Sequence, residues 1–290
     1  MKDIKGFIKL FDINIPNIEH FDYYINQLSK IRKFQNIKDL IALYEKAESE
    51  IDLDIYEYRV KKSQEVIDFI KNSNAYSEMM LDNQLIDYPT SRSANYVEGI
   101  NYLSIDLKSA NWVSLKRYDP DHINELGATY ADLLARFDMP EIFIHSKYLR
   151  QFIFGNINPK RISKVQRNLI QEIVRKYQDF LQVDVVRADE VIFTFKDFSE
   201  IKEIYNSLDV TKFNIKIFNV ERVEDFRIDT VYDIDGNFLY KDIFGVDGTQ
   251  LFIKIKEYLT HEDVDVKDLY FRNNGKLAVW DYKGFKIEKV

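Results

Sequence analysis

Ile100-Asn101-Tyr102-Leu103-Ser104-Ile105-Asp106-Leu107-Lys108-Ser109-Ala110 is a β-run that ends in a carboxylate and gives way to small and polar residues. Downstream, Val185-Val186-Arg187-Ala188-Asp189-Glu190-Val191-Ile192-Phe193 reads as two β-runs with Asp189-Glu190 at the bend between them. Between these motifs the three- and four-residue spacing of apolar side chains predicts helices over 111–118, 122–136 and 142–154. The turn Gly155-Asn156-Ile157-Asn158-Pro159 then leads into a strongly amphipathic helix over 162–180. Proline suits that position because its missing N–H would be unpaired in a first helical turn anyway. After the hairpin a helix is expected over 200–208 and a last strand over 213–218. This order is the split βαβ, ferredoxin-like one: an antiparallel sheet with helices on one face.

Outward from that core, residues 1–95 read mainly as helix, with apolar positions recurring over 18–50 and again over 55–81. Asp87-Tyr88-Pro89-Thr90-Ser91-Arg92-Ser93 has the composition of a turn and marks a boundary. Residues 226–290 read as mostly β. Hairpin turns are expected at Asp233-Ile234-Asp235-Gly236 and Asn273-Asn274-Gly275-Lys276, and 249–258 is either strand or a short helix. The expectation is an α+β chain in three parts: a helical region 1–95, a central domain 96–225 and a small β-rich region 226–290.

The composition, 46% hydrophobic and 31% charged, is that of a folded chain rather than a disordered one. Its Asn, Ile, Lys and Tyr load is that of an AT-rich coding genome, as in many viruses and low-GC bacteria. No cysteine is present, which excludes disulfides, thiolate zinc sites and cysteine nucleophiles. The start of the chain lacks the apolar core of a signal peptide and no apolar run reaches membrane-spanning length, so a cytoplasmic protein with no membrane partner is expected. A net charge of −7 argues against coating nucleic acid by charge alone. Basic residues nonetheless gather between the acidic motifs, at Lys147, Arg150, Lys160, Arg161, Lys164, Arg167, Arg175 and Lys176.

Residues 100–220 resemble the palm shared by polymerases, diguanylate and adenylate cyclases and tRNA-His guanylyltransferases. Arg187-Ala188-Asp189-Glu190-Val191-Ile192-Phe193 is similar to the cyclase Gly-Gly-Asp-Glu-Phe hairpin, without its glycines, and to the guanylyltransferase Ser-Asp-Glu hairpin. Asp106-Leu107-Lys108-Ser109 is similar to the first metal motif of palms. It also resembles the Asp-Phe-Lys-Ser opening of that motif in B-family DNA polymerases, without the tyrosine that follows there. The 83 residues from Asp106 to Asp189 are more than compact cyclase palms use. Template-dependent polymerases place an additional helical motif there, where this chain has its basic segment 147–167.

The resemblance implies a metal-dependent nucleotidyltransferase, a nucleic-acid polymerase or end-adding enzyme. Its partners would be a nucleoside triphosphate and nucleic acid, and its cofactor Mg²⁺ or Mn²⁺. Asp106 would bridge two metal ions with help from the Leu107 carbonyl, Asp189 would be the second shared ligand, and Glu190 either a peripheral ligand or a group that supports the ligands from behind. Hard cations want such oxygens, and two of them stabilise the charge on attacking and leaving oxygens. Lys108, Ser109, Lys160 and Arg161 are candidates for the triphosphate, whose departing charge needs cationic partners. Arg150 and Lys164 could track a nucleic-acid backbone.

Blander readings stand beside these. Asp-Glu at a bend is ordinary turn chemistry, and a basic helix face is usually just solvated. Trp112 and Phe152 could stack on a base, although core packing is the commoner fate. His20, His122, His145 and His261 have no metal-ligand spacing, and His122 fits a helix start. Asp233–Gly236 opens like a calcium loop but lacks the later glutamate, so a turn is expected. Two other functions remain open: a palm-derived nucleotide or RNA binder that has lost catalysis, and a structural or regulatory viral protein.

Overall fold

The computed structural model describes residues 1–51, 55–91, 95–121 and 126–282. The expected helix start at His122 and the turn residues Arg92 and Ser93 lie outside them. Helices fill the first part of the chain: α1 (Ile4–Phe11), α2 (Phe21–Leu28), α3 (Ile37–Glu50), α4 (Ile55–Lys71) and α5 (Asn74–Leu81). Asp3 and Ser73 cap α1 and α5 by accepting from the Gly6 and Tyr76 N–H groups, which have no carbonyl partner at a helix start.

Strand β1 (Asn101–Leu107) is followed by helices α6 (Ala110–Lys116), α7 (Tyr130–Ala135), α8 (Lys147–Gly155) and α9 (Pro159–Tyr177). Reciprocal bonds between Thr129 and Asp132 close a capping box on α7. The 19-residue α9 starts three residues earlier than its apolar periodicity suggests, because Asn158 caps the Arg161 N–H and Pro159 takes the first helical position. Then come β2 (Gln182–Val186), β3 (Glu190–Phe195), α10 (Phe198–Ser207), β4 (Phe213–Val223), β5 (Phe226–Tyr232) and β6 (Phe238–Phe244). The chain closes with α11 (Leu251–Lys254), β7 (Tyr270–Asn273) and β8 (Lys276–Val279).

The architecture is α+β. Six strands form one sheet in the order β2-β3-β1-β4-β5-β6, and β7 and β8 form a two-stranded ribbon. β1 lies antiparallel to both β3 and β4. The chain divides into two compact units interleaved in sequence: Met1–Tyr56 with Glu221–Asp229 and Lys241–Val290, and Glu57–Val220 with Thr230–Tyr240. No helix among the described residues is long and apolar enough to cross a membrane.

In the second unit the sheet is covered on both sides. Leu103, Ile105 and Leu107 of β1 join Val191, Phe193, Phe195 and Ile217 in one buried cluster with Ile170, Ile173 and Val174 of α9 and Ile201 and Ile204 of α10. Alternation sends Tyr102 to the opposite face, where it joins Ile192, Phe218, Val220 and Val231. Tyr102 stacks on Phe218 at 5.4 Å, and Tyr96 meets both rings edge-on at 5.1 and 5.7 Å. This second cover ends before Asp106, which leaves the last carboxylate of β1 beyond the apolar layer.

The first unit has its own aromatic core, with Phe7 against Tyr44 at 5.5 Å and Tyr24 against Phe252 at 4.6 Å. Here 249–258 resolves as helix, α11 running on into a wider turn over Ile255–Thr260. Phe252, Ile253 and Ile255 are all buried, and that spacing suits a helical face rather than a strand's alternation. The region 226–290 is therefore less β-rich than its sequence suggests. Its first hairpin belongs to the large sheet rather than to a small sheet of its own.

Candidate functional site

The register of the sheet assembles the candidate site. Asp106 is the last β1 residue paired with β3, opposite Glu190, and across β4 it lies opposite Asn214. Ser104, two residues earlier, shares its face. The hairpin bend closes through the Arg187 N–H donating to the Glu190 carbonyl at 2.7 Å. The bend is also fastened to β1, since the Leu107 N–H donates to the Asp189 carbonyl at 2.8 Å. One strand end and one hairpin tip thus deliver Asp106, Asp189 and Glu190 to the same edge of the apolar layer.

Their electrostatics differ. Burial pushes the Asp106 carboxyl up to about 6 from its ordinary 3.8, and the charges of Asp189 and Glu190 push the same way. A 3.2 Å hydrogen bond donated by Asn214 Nδ2 opposes the rise, as does the Lys147 ammonium. Glu190 is already engaged: Ser104 donates to Oε1 at 2.7 Å, and Oε2 meets the Arg187 guanidinium at 2.5 Å. The Asp189 carboxylate makes no hydrogen bond or ion pair to any described residue. Among the described residues no three His, Asp or Glu side chains are gathered closely enough to hold a metal ion together.

Leu107, whose carbonyl is the remaining expected ligand, follows Asp106 directly and buries its side chain on the helix-covered face. Lys108 Nζ donates to the Val210 carbonyl at 2.5 Å, and its N–H to the Lys212 carbonyl at 2.8 Å, tying the strand end to the loop before β4. Ser109 caps α6 in a left-handed conformation, φ 46°, with no side-chain cap bond. That conformation is uncommon outside glycine, asparagine and aspartate, so the turn after Asp106 is tightly specified.

The other basic candidates divide. Lys160, Arg161 and Lys164 line an open pocket of about 600 Å³ at the start of α9, together with Asp87, Ser163 and Arg167, and none of the three carboxylates lines it. Arg161 is committed to structure there: its Nε donates to the Met79 carbonyl at 2.8 Å and its Nη2 to the Asp82 carbonyl, at the end of α5. Helix ends leave such carbonyls unpaired, and a guanidinium satisfies them well. Arg161→Ala is therefore expected to cost about 1–3 kcal/mol, the loss of charged hydrogen bonds to carbonyls that are then left unpaired. A urea titration checks it: an unchanged midpoint would mean that these bonds carry no stability.

Trp112 takes the core role, 6% exposed, with its ring 6.1 Å from that of Tyr130. Phe152 sits 5.8 Å from the Arg59 guanidinium. Asp233 accepts from the Asp235 and Asn237 N–H groups, and Gly236 takes φ 86°, so this segment is a turn. Reading by sequence missed Asn214, Ser104, Arg187 and Tyr130. Ser104 was legible, because two residues along a strand is one face; the others needed the register. No protein-family model matches the chain, and no curated protein matches it.

Proposed function

We propose that strands β2-β3-β1-β4, with α9 and α10 on one face, are a palm, and that this chain transfers nucleotidyl groups from nucleoside triphosphates. One observation carries the reading. A strand-end Asp106 and a hairpin-tip Asp189 meet where the sheet's apolar cover stops, close enough that Asp189 and Glu190 help raise Asp106 to about 6. Against the negative charge on Asp106 stand one amide donor, Asn214, and the Lys147 ammonium, while Arg187 pairs with Glu190. Such carboxylates suit hard cations, and Mg²⁺ is commonly held by only one or two carboxylates with the substrate's phosphates completing its shell.

Asp106 and Asp189 are the residues that would hold Mg²⁺ or Mn²⁺, with the Leu107 carbonyl beside them. When bound, such ions stabilise charge on the attacking and leaving oxygens and favour loss of the nucleophile's proton. The chain's own residues set this up. Asn214 holds the Asp106 carboxylate in place, while Ser104 and Arg187 fix Glu190 as a positioning group beside it. The left-handed turn at Ser109 and the Lys108 bonds to Val210 and Lys212 keep the strand end rigid. The acceptor would be a hydroxyl, at a nucleic-acid end in the polymerase or end-addition form, and the leaving group pyrophosphate.

A palm-derived module without catalysis is the second reading. It is favoured by the engagement of Glu190 with Arg187 and Ser104. Incorporation of labelled nucleotides in Mg²⁺ or Mn²⁺, on primed template, single strands and without nucleic acid, separates the two. The expected result is metal-dependent product that is lost in Asp189→Asn. No product on any substrate, with melting temperature unmoved by metal and nucleotide, would shift the conclusion to the non-catalytic module.

A further inference from the structure

Arg150 lies one turn along α8 from Lys147, so the two side chains share a helix face. Lys147 is exposed, and its ammonium is close enough to Asp106 to favour the ionised carboxylate. Arg150 is different. Its side chain is largely withdrawn from solvent, and among the described residues its guanidinium has no hydrogen bond, ion pair or ring contact. Buried cations are almost always paired, because desolvating one without compensation is costly. Desolvation accordingly holds its pKa down, and the titratable group that acts on it electrostatically is the Tyr130 hydroxyl.

Tyr130 carries the second anomaly. It is only 6% exposed, and its hydroxyl oxygen is buried with no hydrogen-bond partner. A buried, unpaired hydroxyl costs free energy for the same reason as the unpaired arginine. The ring sits 6.1 Å from Trp112 of α6, the helix that β1 leads into after Asp106, and 6.1 Å from Phe154 of α8. The ring contact of Tyr130 with Trp112 places this cluster beside the helix that follows β1, and the electrostatic pull of Lys147 on Asp106 agrees with that placement. Among the described residues these are three donors without a hydrogen-bond acceptor, two of them cationic, and one of the cations, Lys147, acts on Asp106.

We propose that Lys147, Arg150 and the Tyr130 hydroxyl form an anion subsite that takes the β- and γ-phosphates of a nucleoside triphosphate. A planar guanidinium suits a doubly charged phosphate, and a hydroxyl that donates to one of its oxygens loses its own penalty. The choice of a triphosphate tail over another phosphate rests on the nucleotidyl-transfer reading; the anion site itself does not. The basic pocket at the start of α9 is the weaker rival, because Arg161 is spent on α5 carbonyls and Arg167 on Asp87.

Sodium tripolyphosphate, without divalent metal, is the probe, followed by titration calorimetry and thermal melting. Wild type should bind it and melt higher. Binding should weaken about 10-fold or more in Arg150→Gln and several-fold in Lys147→Ala, as expected for charged hydrogen bonds. Tyr130→Phe should weaken binding with no loss of melting temperature in the absence of anion, which a merely structural hydroxyl would not do. Lys147 is exposed, so its variant keeps the test open if Arg150→Gln fails to fold. No binding to wild type overturns the proposal, as does binding that survives these changes but is lost in Lys160→Ala. A single-stranded oligonucleotide forms the other arm: if it binds through Arg150 and tripolyphosphate does not, the cluster holds a nucleic-acid backbone instead. Asp189→Asn should retain tripolyphosphate binding. Failure of incorporation alone would thus leave the subsite standing, and failure of the subsite would leave the carboxylate reading standing.

Discussion

Asp106→Asn is expected to abolish nucleotide incorporation and, at neutral pH, to make the protein more stable. The loss of activity should be about 10³-fold or greater, because a metal ligand is worth several kcal/mol in the transition state and each 1.4 kcal/mol is tenfold in rate. The gain in stability follows from linkage. The carboxyl titrates at about 6 in the fold, against an ordinary 3.8, with burial the first cause. Between those values the folded protein binds more protons at this group than the unfolded chain, so its contribution to stability falls as pH rises through the interval. Above pH 6 the full cost of the ionised form is present, and below 3.8 it is absent.

The whole shift corresponds to about 3 kcal/mol, of which ~1–2 is expected after relaxation and residual solvation. Asparagine removes the charge and can still accept from Asn214. Melting curves of both proteins from pH 4 to 8 check this. The variant's advantage should be largest near pH 8 and close towards pH 4. An advantage that does not change with pH, or a variant that melts lower throughout, would mean that Asp106 is not a strained carboxylate. Sites that bind cations commonly trade stability for function in this way.

Phe193→Ala should have the largest effect on folding. The ring is fully buried in the middle of β3, in the cluster that joins β1 and β3 to α9 and α10. It stands opposite Leu103 on one side and Val183 on the other. Removing it leaves a cavity against two strands and two helices, at a cost of about 3–5 kcal/mol. Marginal total stability of about 5–15 kcal/mol makes that a large fraction. Denaturant unfolding measures it, with Phe180→Ser as the comparison. Phe180 is 78% exposed and should change stability by less than ~0.5 kcal/mol. A small loss in Phe193→Ala would mean that this face of the sheet is not the fold's main core.

Much of the site was legible before the fold. A β-run ending in Asp106 and an Asp-Glu bend followed by Val191-Ile192-Phe193 announce a strand end and a hairpin tip, and the structure places both beside one another. The basic helices were legible as helices but not as ligands. Arg161 and Lys164 look alike on α9, yet only Arg161 reaches the open end of α5. Lys147 and Arg150 look like two more surface charges of α8, until one is found to act on Asp106 and the other to be half-buried without a partner among the described residues.

From the sequence alone came the elements and their inward faces: the amphipathic helix α9, though not its start at Pro159, the alternation of β1, the turn at Asp233–Gly236. These depend on interactions within a few residues, which periodicity and capping report directly. Tertiary structure alone decided that Asn214, 108 residues away in sequence, supports Asp106, that Ser104 and Arg187 hold Glu190, and that the Asp189 carboxylate has no hydrogen bond or ion pair among the described residues. Strand register is set by the summed burial of Leu103, Ile105, Val191, Phe193 and Ile217 against two helices. No local pattern encodes which polar side chains that packing brings face to face.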